Sequence, residues 1–231
     1  MKNGLLESWS RVTSALKSVT QIYDRANRVI SLGNDVRLRR EGVRRTVVDG
    51  DLVLDAGCGP GVMSDVLSKE RRCRLVLLDA LKPMLIEAKR RVEGGDYVVG
   101  VFERMPFRSG TFDAIVCGFS LRDAIDYGEG VGELSRVARW GGRLLIVDIA
   151  KPDNPMLRAA LSIYWRFFVP FMMRALFGRV GVSYSELYRT YARLPTNGEL
   201  KDLLESKFEK AWMLQRMLGG GVLAIASKGR G

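Results

Sequence analysis

The sequence predicts a doubly wound α/β chain: a mostly parallel seven-stranded sheet with helices on both faces, finished by an antiparallel C-terminal hairpin. Three observations predict it. Short apolar runs alternate with helical-period stretches between residues 51 and 149, the rhythm of parallel strands joined by crossover helices. The first run, Val53-Leu-Asp-Ala56, leads directly into Gly57-Cys-Gly-Pro-Gly61, a glycine turn that opens a helix. The last two runs, 210–217 and 222–227, are joined through Gly219-Gly-Gly221 rather than through a helix, so they pair as a hairpin.

Each element follows in order. Leu5, Leu6, Trp9, Val12, Leu16 and Val19 recur at helical spacing and predict an amphipathic helix over 4–20. A loop region covers Tyr23–Asn27 and Ser31–Gly33, after which Asn34 or Asp35 caps a very basic helix running to about Val48. Its arginines, Arg37, Arg39, Arg40, Arg44 and Arg45, read as a solvated face. Strands are expected at 51–56, 74–79, 97–101, 113–118 and 142–149, with helices at 61–70, 81–93 and about 124–139. An aromatic insertion at 155–178 carries Trp165, Phe167, Phe168, Phe171 and Phe177, with Pro170 set to kink or split it. Three arginines interrupt that stretch, which argues against a membrane span. It reads either as a lid over a greasy substrate or as a packed helical pair. A helix at 198–206 precedes the hairpin. The resulting division is N-terminal helices contributing to a lid (1–48), a ligand-binding core (49–150), the helical insertion (151–197), and the helix and hairpin that complete the sheet (198–231).

Composition bounds the chemistry. The 37 Lys and Arg against 26 Asp and Glu give a net charge of +11, which favours anionic partners such as an acidic membrane surface or nucleic acid. There is no histidine, so the usual general base and the commonest metal ligand are missing from the chain. No metal constellation is visible. Cys58, Cys73 and Cys117 have neither metal nor disulfide spacing, and a reducing cytosol is the simplest setting. The opening residues Met1-Lys-Asn-Gly-Leu-Leu-Glu lack the apolar core of a signal peptide.

The glycine turn points to the ligand. Residues at Gly57, Gly59 and Gly61 with side chains would block close approach or forbid positive φ. Asp79 closes the second strand 20 residues beyond Gly59, the separation at which an acid reads ribose hydroxyls. The Gly-x-Gly-x-Gly spacing departs from the dinucleotide pattern. An acid at the strand end, Asp55, would repel a pyrophosphate but suits a ligand bearing an ammonium and a sulfonium. S-adenosylmethionine (SAM) fits better than a nicotinamide dinucleotide. Cys58 reads as a small residue that fits the turn rather than as a nucleophile.

From Tyr23 to Lys228 the chain resembles the menaquinone/ubiquinone-biosynthesis C-methyltransferases, Rossmann-like enzymes that use SAM. The pieces that carry the resemblance are Tyr23-Asp24-x-x-Asn27, Ser31-Leu-Gly33, Met105-Pro-Phe-Arg-Ser-Gly-Thr-Phe-Asp113, Phe119-Ser-Leu-Arg-Asp123, Gly141-Gly-Arg-Leu-Leu145, Lys151-Pro152 and Gly221-Val-Leu-Ala224. The resemblance implies methyl transfer to a ring carbon of a prenylated quinol. It also implies that Asp55, Gly57 and Gly59 lie at the methionine end of SAM, with Gly61 shaping the turn. Asp79 would bind the ribose hydroxyls and Met84 would pack on the adenine, with Cys58, Ala80 and Phe119 also among the donor-binding residues. Where the family often has Asp or Asn before Ala-Glu, this chain has Val101-Phe102-Glu103, which leaves Glu103 and backbone amides to read adenine. Tyr23 would close over the donor.

With histidine absent, Arg122 is the expected catalytic centre. It stays protonated, so it lowers the acceptor phenol's pKa rather than taking its proton. Water or Asp123 would accept that proton. The competing reading makes Arg122-Asp123 a surface pair at a helix start. The basic helix and the aromatic insertion together suggest peripheral contact with an anionic membrane, and a homodimer is a further expectation. A phospholipid amine is an alternative acceptor. Nucleic acid is disfavoured, because no appended RNA-binding domain and no Asn-Pro-Pro-Tyr-like site accompany Cys117-Gly-Phe-Ser120.

Overall fold

The computed structural model describes residues 33–181, 186–216 and 219–229, with Arg28 and Ser31. Helix α1 (Asp35–Thr46) leads into β1 (Leu52–Ala56), α2 (Val62–Glu70), β2 (Arg74–Asp79), α3 (Lys82–Arg91), β3 (Asp96–Val99) and β4 (Phe112–Gly118). A 3-10 turn, Leu121–Asp123, is followed by α4 (Tyr127–Val137) and β5 (Ala138–Ile149). The insertion holds α5 (Pro155–Ile163), a π turn (Tyr164–Phe168), α6 (Val169–Gly181) and α7 (Glu186–Arg193). Helix α8 (Asn197–Lys207), β6 (Lys210–Arg216) and β7 (Gly221–Ser227) come last.

The strands form one sheet in the order β3-β2-β1-β4-β5-β7-β6. The first five run parallel, and β7 is antiparallel to both β5 and β6. The order reverses between β1 and β4, and a crevice at the carboxyl ends of those strands is where such sheets bind ligands. Alternation within β1 sends Leu54 and Ala56 to one face, with Leu134 and Leu200 of α4 and α8. Val53 faces the other side, with Leu38, Met63 and Leu85 of α1, α2 and α3. Both faces are buried, which is why the strands read as nearly continuous apolar runs.

Several boundaries differ from the sequence expectation, each for a local reason. Asp126 caps α4 by accepting from the Glu129 amide at 2.9 Å, so that helix begins at Tyr127 instead of 124. Ala138 already pairs with Phe112, so β5 starts four residues before the expected 142 and carries a bulge near Gly141-Gly142. A side chain at Gly142 would lie 2.7 Å from the Arg139 carbonyl. Pro170 does not split the insertion. The helix widens just before it into the π turn, where the Val169 amide donates to the Tyr164 carbonyl, and the kink falls at Gly178.

The expected solvated arginine face of α1 needs correction. Asp35, Leu38, Arg39, Gly42, Val43 and Thr46 form its buried stripe, and Arg39 is 1% exposed. Arg40 and Arg44 remain outside, both paired with Glu70. Among the described residues no helix is long and apolar enough to cross a membrane. The expected helix over 4–20 and Tyr23 lie outside the described residues.

Candidate active site

The glycine turn sits at the topological switch point. Gly57, Gly59 and Gly61 all take positive φ, at 68°, 54° and 83°. A Cβ on Gly57 would lie 2.6 Å from Ser120 Cβ and 2.9 Å from Phe102 Cζ, so the turn and the loop after β4 are in backbone-to-side-chain contact. Ser120 closes that contact by donating its hydroxyl to the Ala56 carbonyl at 2.8 Å. Asp79 braces the turn from β2: one carboxylate oxygen accepts from the Gly59 amide at 2.9 Å and the other from the Leu81 amide at 2.8 Å. Burial raises the Asp79 pKa, and the two amides oppose that rise.

Asp55 lies beneath the turn, fully buried. Its Oδ2 accepts the Ser64 hydroxyl at 2.6 Å, while Oδ1 has no hydrogen-bond partner. Burial pushes its pKa up to about 7, against the pull of Ser64 and Arg39. A buried carboxylate oxygen without a partner is costly, and a cationic ligand group beside it would offset that cost. With the close-approach glycine turn, this fits an adenosyl donor that carries an ammonium and a sulfonium.

Other expected donor residues are arranged as follows. Met84 is 2% exposed in the first turn of α3, and Ala80 links Asp79 to that helix. Cys58 is buried, and desolvation carries its thiol pKa well above the ordinary value, which suits packing and not nucleophilic attack. Glu103 spends one oxygen on the amides of Ile125 and Asp126, at 2.6 and 3.2 Å, holding the loop before α4. Phe119 has φ +61°, the one non-glycine among the described residues in the left-handed region.

The catalytic candidates follow Ser120 directly, on the 3-10 turn after β4. Arg122 is 9% exposed, so Arg122-Asp123 is not a surface pair. The Arg122 guanidinium donates to Asp148 Oδ1 at 2.9 Å and its backbone amide to Asp148 Oδ2 at 3.3 Å. Asp123 lies 3.9 Å from Arg122 Nε, and burial raises its pKa to about 6 although Arg122 pulls it down. Burial also raises the pKa of Asp148, again against Arg122. Beyond this cluster a cleft of about 300 Å³ is lined by Arg122, Ile125, Tyr127, Arg193 and Leu194, among others. One wall of the cleft comes from the insertion: Leu194 and Tyr127 pack with Trp165, Val169 and Met173.

Sequence reading missed Asp148, Arg39, Tyr127 and Arg193. Asp148 had a visible signal, an acid ending the apolar run Leu144-Leu-Ile-Val147 just as Asp55 and Asp79 end theirs. Arg193 had none, because it reaches the cleft across 71 residues of chain from Arg122.

Comparison with known proteins places the chain among methyltransferases. A demethylmenaquinone methyltransferase from Clavibacter sepedonicus is 29% identical over 230 residues, covering 97% of this chain and 92% of its own. One from Thermus thermophilus is 31% identical, covering 79% of this chain and 85% of its own. A ubiquinone/menaquinone biosynthesis C-methyltransferase from Geobacter sulfurreducens is 27% identical over 87% of this chain and 82% of its own. Among solved structures, a SAM-dependent methyltransferase from Thermotoga maritima, described as a possible histamine N-methyltransferase, superposes with TM-score 0.65 at 14% identity, covering 93% of this chain and 99% of its own. The cyclase SpnF superposes with TM-score 0.57 at 16% identity, covering 85% and 81%, so the fold by itself does not specify a reaction. The sequence model of the ubiE/COQ5 methyltransferase family matches residues 6–228. With that match over nearly its full length, the chain belongs to the ubiE/COQ5 methyltransferase family and is a SAM-dependent methyltransferase.

Proposed function

We propose that the protein methylates a ring carbon of a prenylated quinol, demethylmenaquinol or a related quinone precursor. The observation that carries this reading is the Arg122–Asp123 pair beside a cleft that Arg193 and Leu194, at the end of the helical insertion, help to line. The names of the curated relatives support the same acceptor.

SAM supplies an electrophilic methyl group on a good leaving group. The protein's work is on the other partner. Asp55, Gly57 and Gly59 hold the methionine end and Asp79 the ribose, with Ala80, Met84, Cys58, Phe119 and Glu103 around the adenosine. A phenol titrates near pKa ~10, so its ring carbon is a weak nucleophile until the hydroxyl proton leaves. Arg122 stabilises the phenolate, with Asp148 fixing its guanidinium in place, and a proton acceptor completes the site. Asp123 fills that role: it is ionised at neutral pH, and raised far enough to be a useful base. The ring carbon then bonds to the methyl as the carbon–sulfur bond breaks and S-adenosylhomocysteine leaves; the ring proton passes to solvent, and the ring oxygen takes a proton back from Asp123 to restore the aromatic quinol. Tyr23 is assigned to closing the donor side.

We further propose that the reaction runs against an anionic bilayer, where a prenylated acceptor resides. Met156, Ile163, Phe167, Phe168, Phe171 and Leu176 are all exposed on the insertion, whose residues 155–178 include three arginines and no acid. Co-sedimentation with phosphatidylglycerol vesicles should exceed that with phosphatidylcholine and fall for Phe171→Ser. Equal binding to both, or a salt-insensitive dimer in place of binding, would remove this part.

The acceptor is tested with methyl-labelled SAM and a lipid extract of the host. Label in a quinone supports the proposal; label only in phospholipid or RNA overturns it.

A further inference from the structure

The donor loop leans on a residue from outside the core. Phe119 is held in the left-handed backbone region at φ +61°, a conformation a side chain of its bulk rarely adopts without support. The support lies directly over it: the Arg39 guanidinium stacks 4.6 Å from the Phe119 ring centroid. Arg39 is in turn anchored on its own helix, donating to Asp35 at 3.0 Å, and Asp35 accepts the Ser31 hydroxyl at 3.1 Å. Its path is tight, since a Cβ on Gly118 would come within 3.4 Å of Arg39 Nε. The neighbours of Phe119 show what its conformation sets. Ser120, the next residue, is the one that abuts Gly57 and donates to the Ala56 carbonyl.

We propose that Arg39 is a positioning residue for donor binding: stacked on Phe119 and tied to Asp35, it holds the loop after β4 in the shape that sets Ser120 against the glycine turn. Helix α1 is thereby coupled to the donor site, whatever the acceptor. The nearby buried acid supports the same role, because Arg39 is also the cation that opposes the raised pKa of Asp55.

Calorimetric titration with S-adenosylhomocysteine and with SAM tests this on the full chain. Arg39→Met and Phe119→Leu are each expected to weaken binding about tenfold, the loss falling on the donor KM more than on kcat. Arg39→Lys should recover part of that loss, since an ammonium also stacks on an aromatic face. Phe119→Gly should lose less than Phe119→Leu, because glycine takes positive φ without a steric penalty. Adding Arg39→Met to Phe119→Gly should cost little more. The proposal fails if Arg39→Met weakens binding equally in both backgrounds, if Phe119→Leu binds like the wild type, or if glycine at 119 is worse than leucine. Should Arg39→Met not fold, Arg39→Lys in the wild-type and Phe119→Gly backgrounds decides instead, an equal loss in both overturning the proposal.

Discussion

The two sides of the crevice are built in opposite ways. The donor side is mostly backbone: the end of β1 and the turn Gly57–Gly61, three positive-φ glycines, and one acid that grips the turn through the Gly59 amide. The side proposed for the acceptor is side chains drawn from the 3-10 turn, β5, α4 and the end of α7. Backbone sites fix a constant ligand and tolerate little change. Side-chain sites can be altered without disturbing the sheet that carries them, which suits a common donor paired with a variable acceptor.

That contrast predicts which kinetic constant each mutation should strike. Arg122→Met should lower kcat by roughly 10³-fold with little change in donor affinity, in line with loss of one charged donor to a developing oxyanion. A large rise in donor Kd instead would break the division. Gly57→Ala is expected to weaken donor binding by about 10²-fold or more, since its Cβ would press on Ser120 at positive φ. Titration calorimetry checks that directly. Asp123→Asn should cost roughly 10²-fold in kcat and erase the acid limb of the pH–rate profile. In the wild type that limb falls as pH drops through about 6, because the base must be ionised.

The smallest and sharpest test is Asp55→Asn. The folded-state pKa of Asp55 is raised, so its contribution to stability is present below its ordinary value of 3.8 and is lost as pH rises towards about 7. The variant should therefore gain thermal stability over the donor-free wild type progressively across that window, then hold a constant margin. Donor affinity runs the other way. It should rise with pH up to about 7 in the wild type, as the carboxylate ionises for its cationic partner, and become flat in Asp55→Asn.

Legibility from sequence follows the same divide. The donor turn, its strand and Asp79 are local signals, separated by fixed spacings that a parallel crossover imposes. The acceptor cleft depends on where α7 comes to rest, and no periodicity near Arg193 announces a neighbour at Arg122. The error on α1 is instructive because the signal was present. Leu38, Gly42, Val43 and Thr46 mark one helical stripe, and Arg39 falls inside it. A run of arginines read by charge alone hides which one shares the apolar phase. The boundary between α4 and β5 was missed for a different reason: residues 138–141 have helical neighbours, and only pairing with Phe112 draws them into the sheet.

The π turn has a bearing on how this molecule can change over generations. Leu161, Trp165, Val169, Met173 and Phe177 face inward at strict intervals of four, while Ile163, Phe167, Phe171 and Ala175 keep the same interval on the outside. An ordinary helix would drift by about 40° at each such step, and the wider turn takes up part of that rotation. One codon gained or lost in this stretch would roll the outer phenylalanines towards Tyr127 and turn the inner tryptophan out. Point changes can retune either surface, but the length of this segment is fixed by its phase.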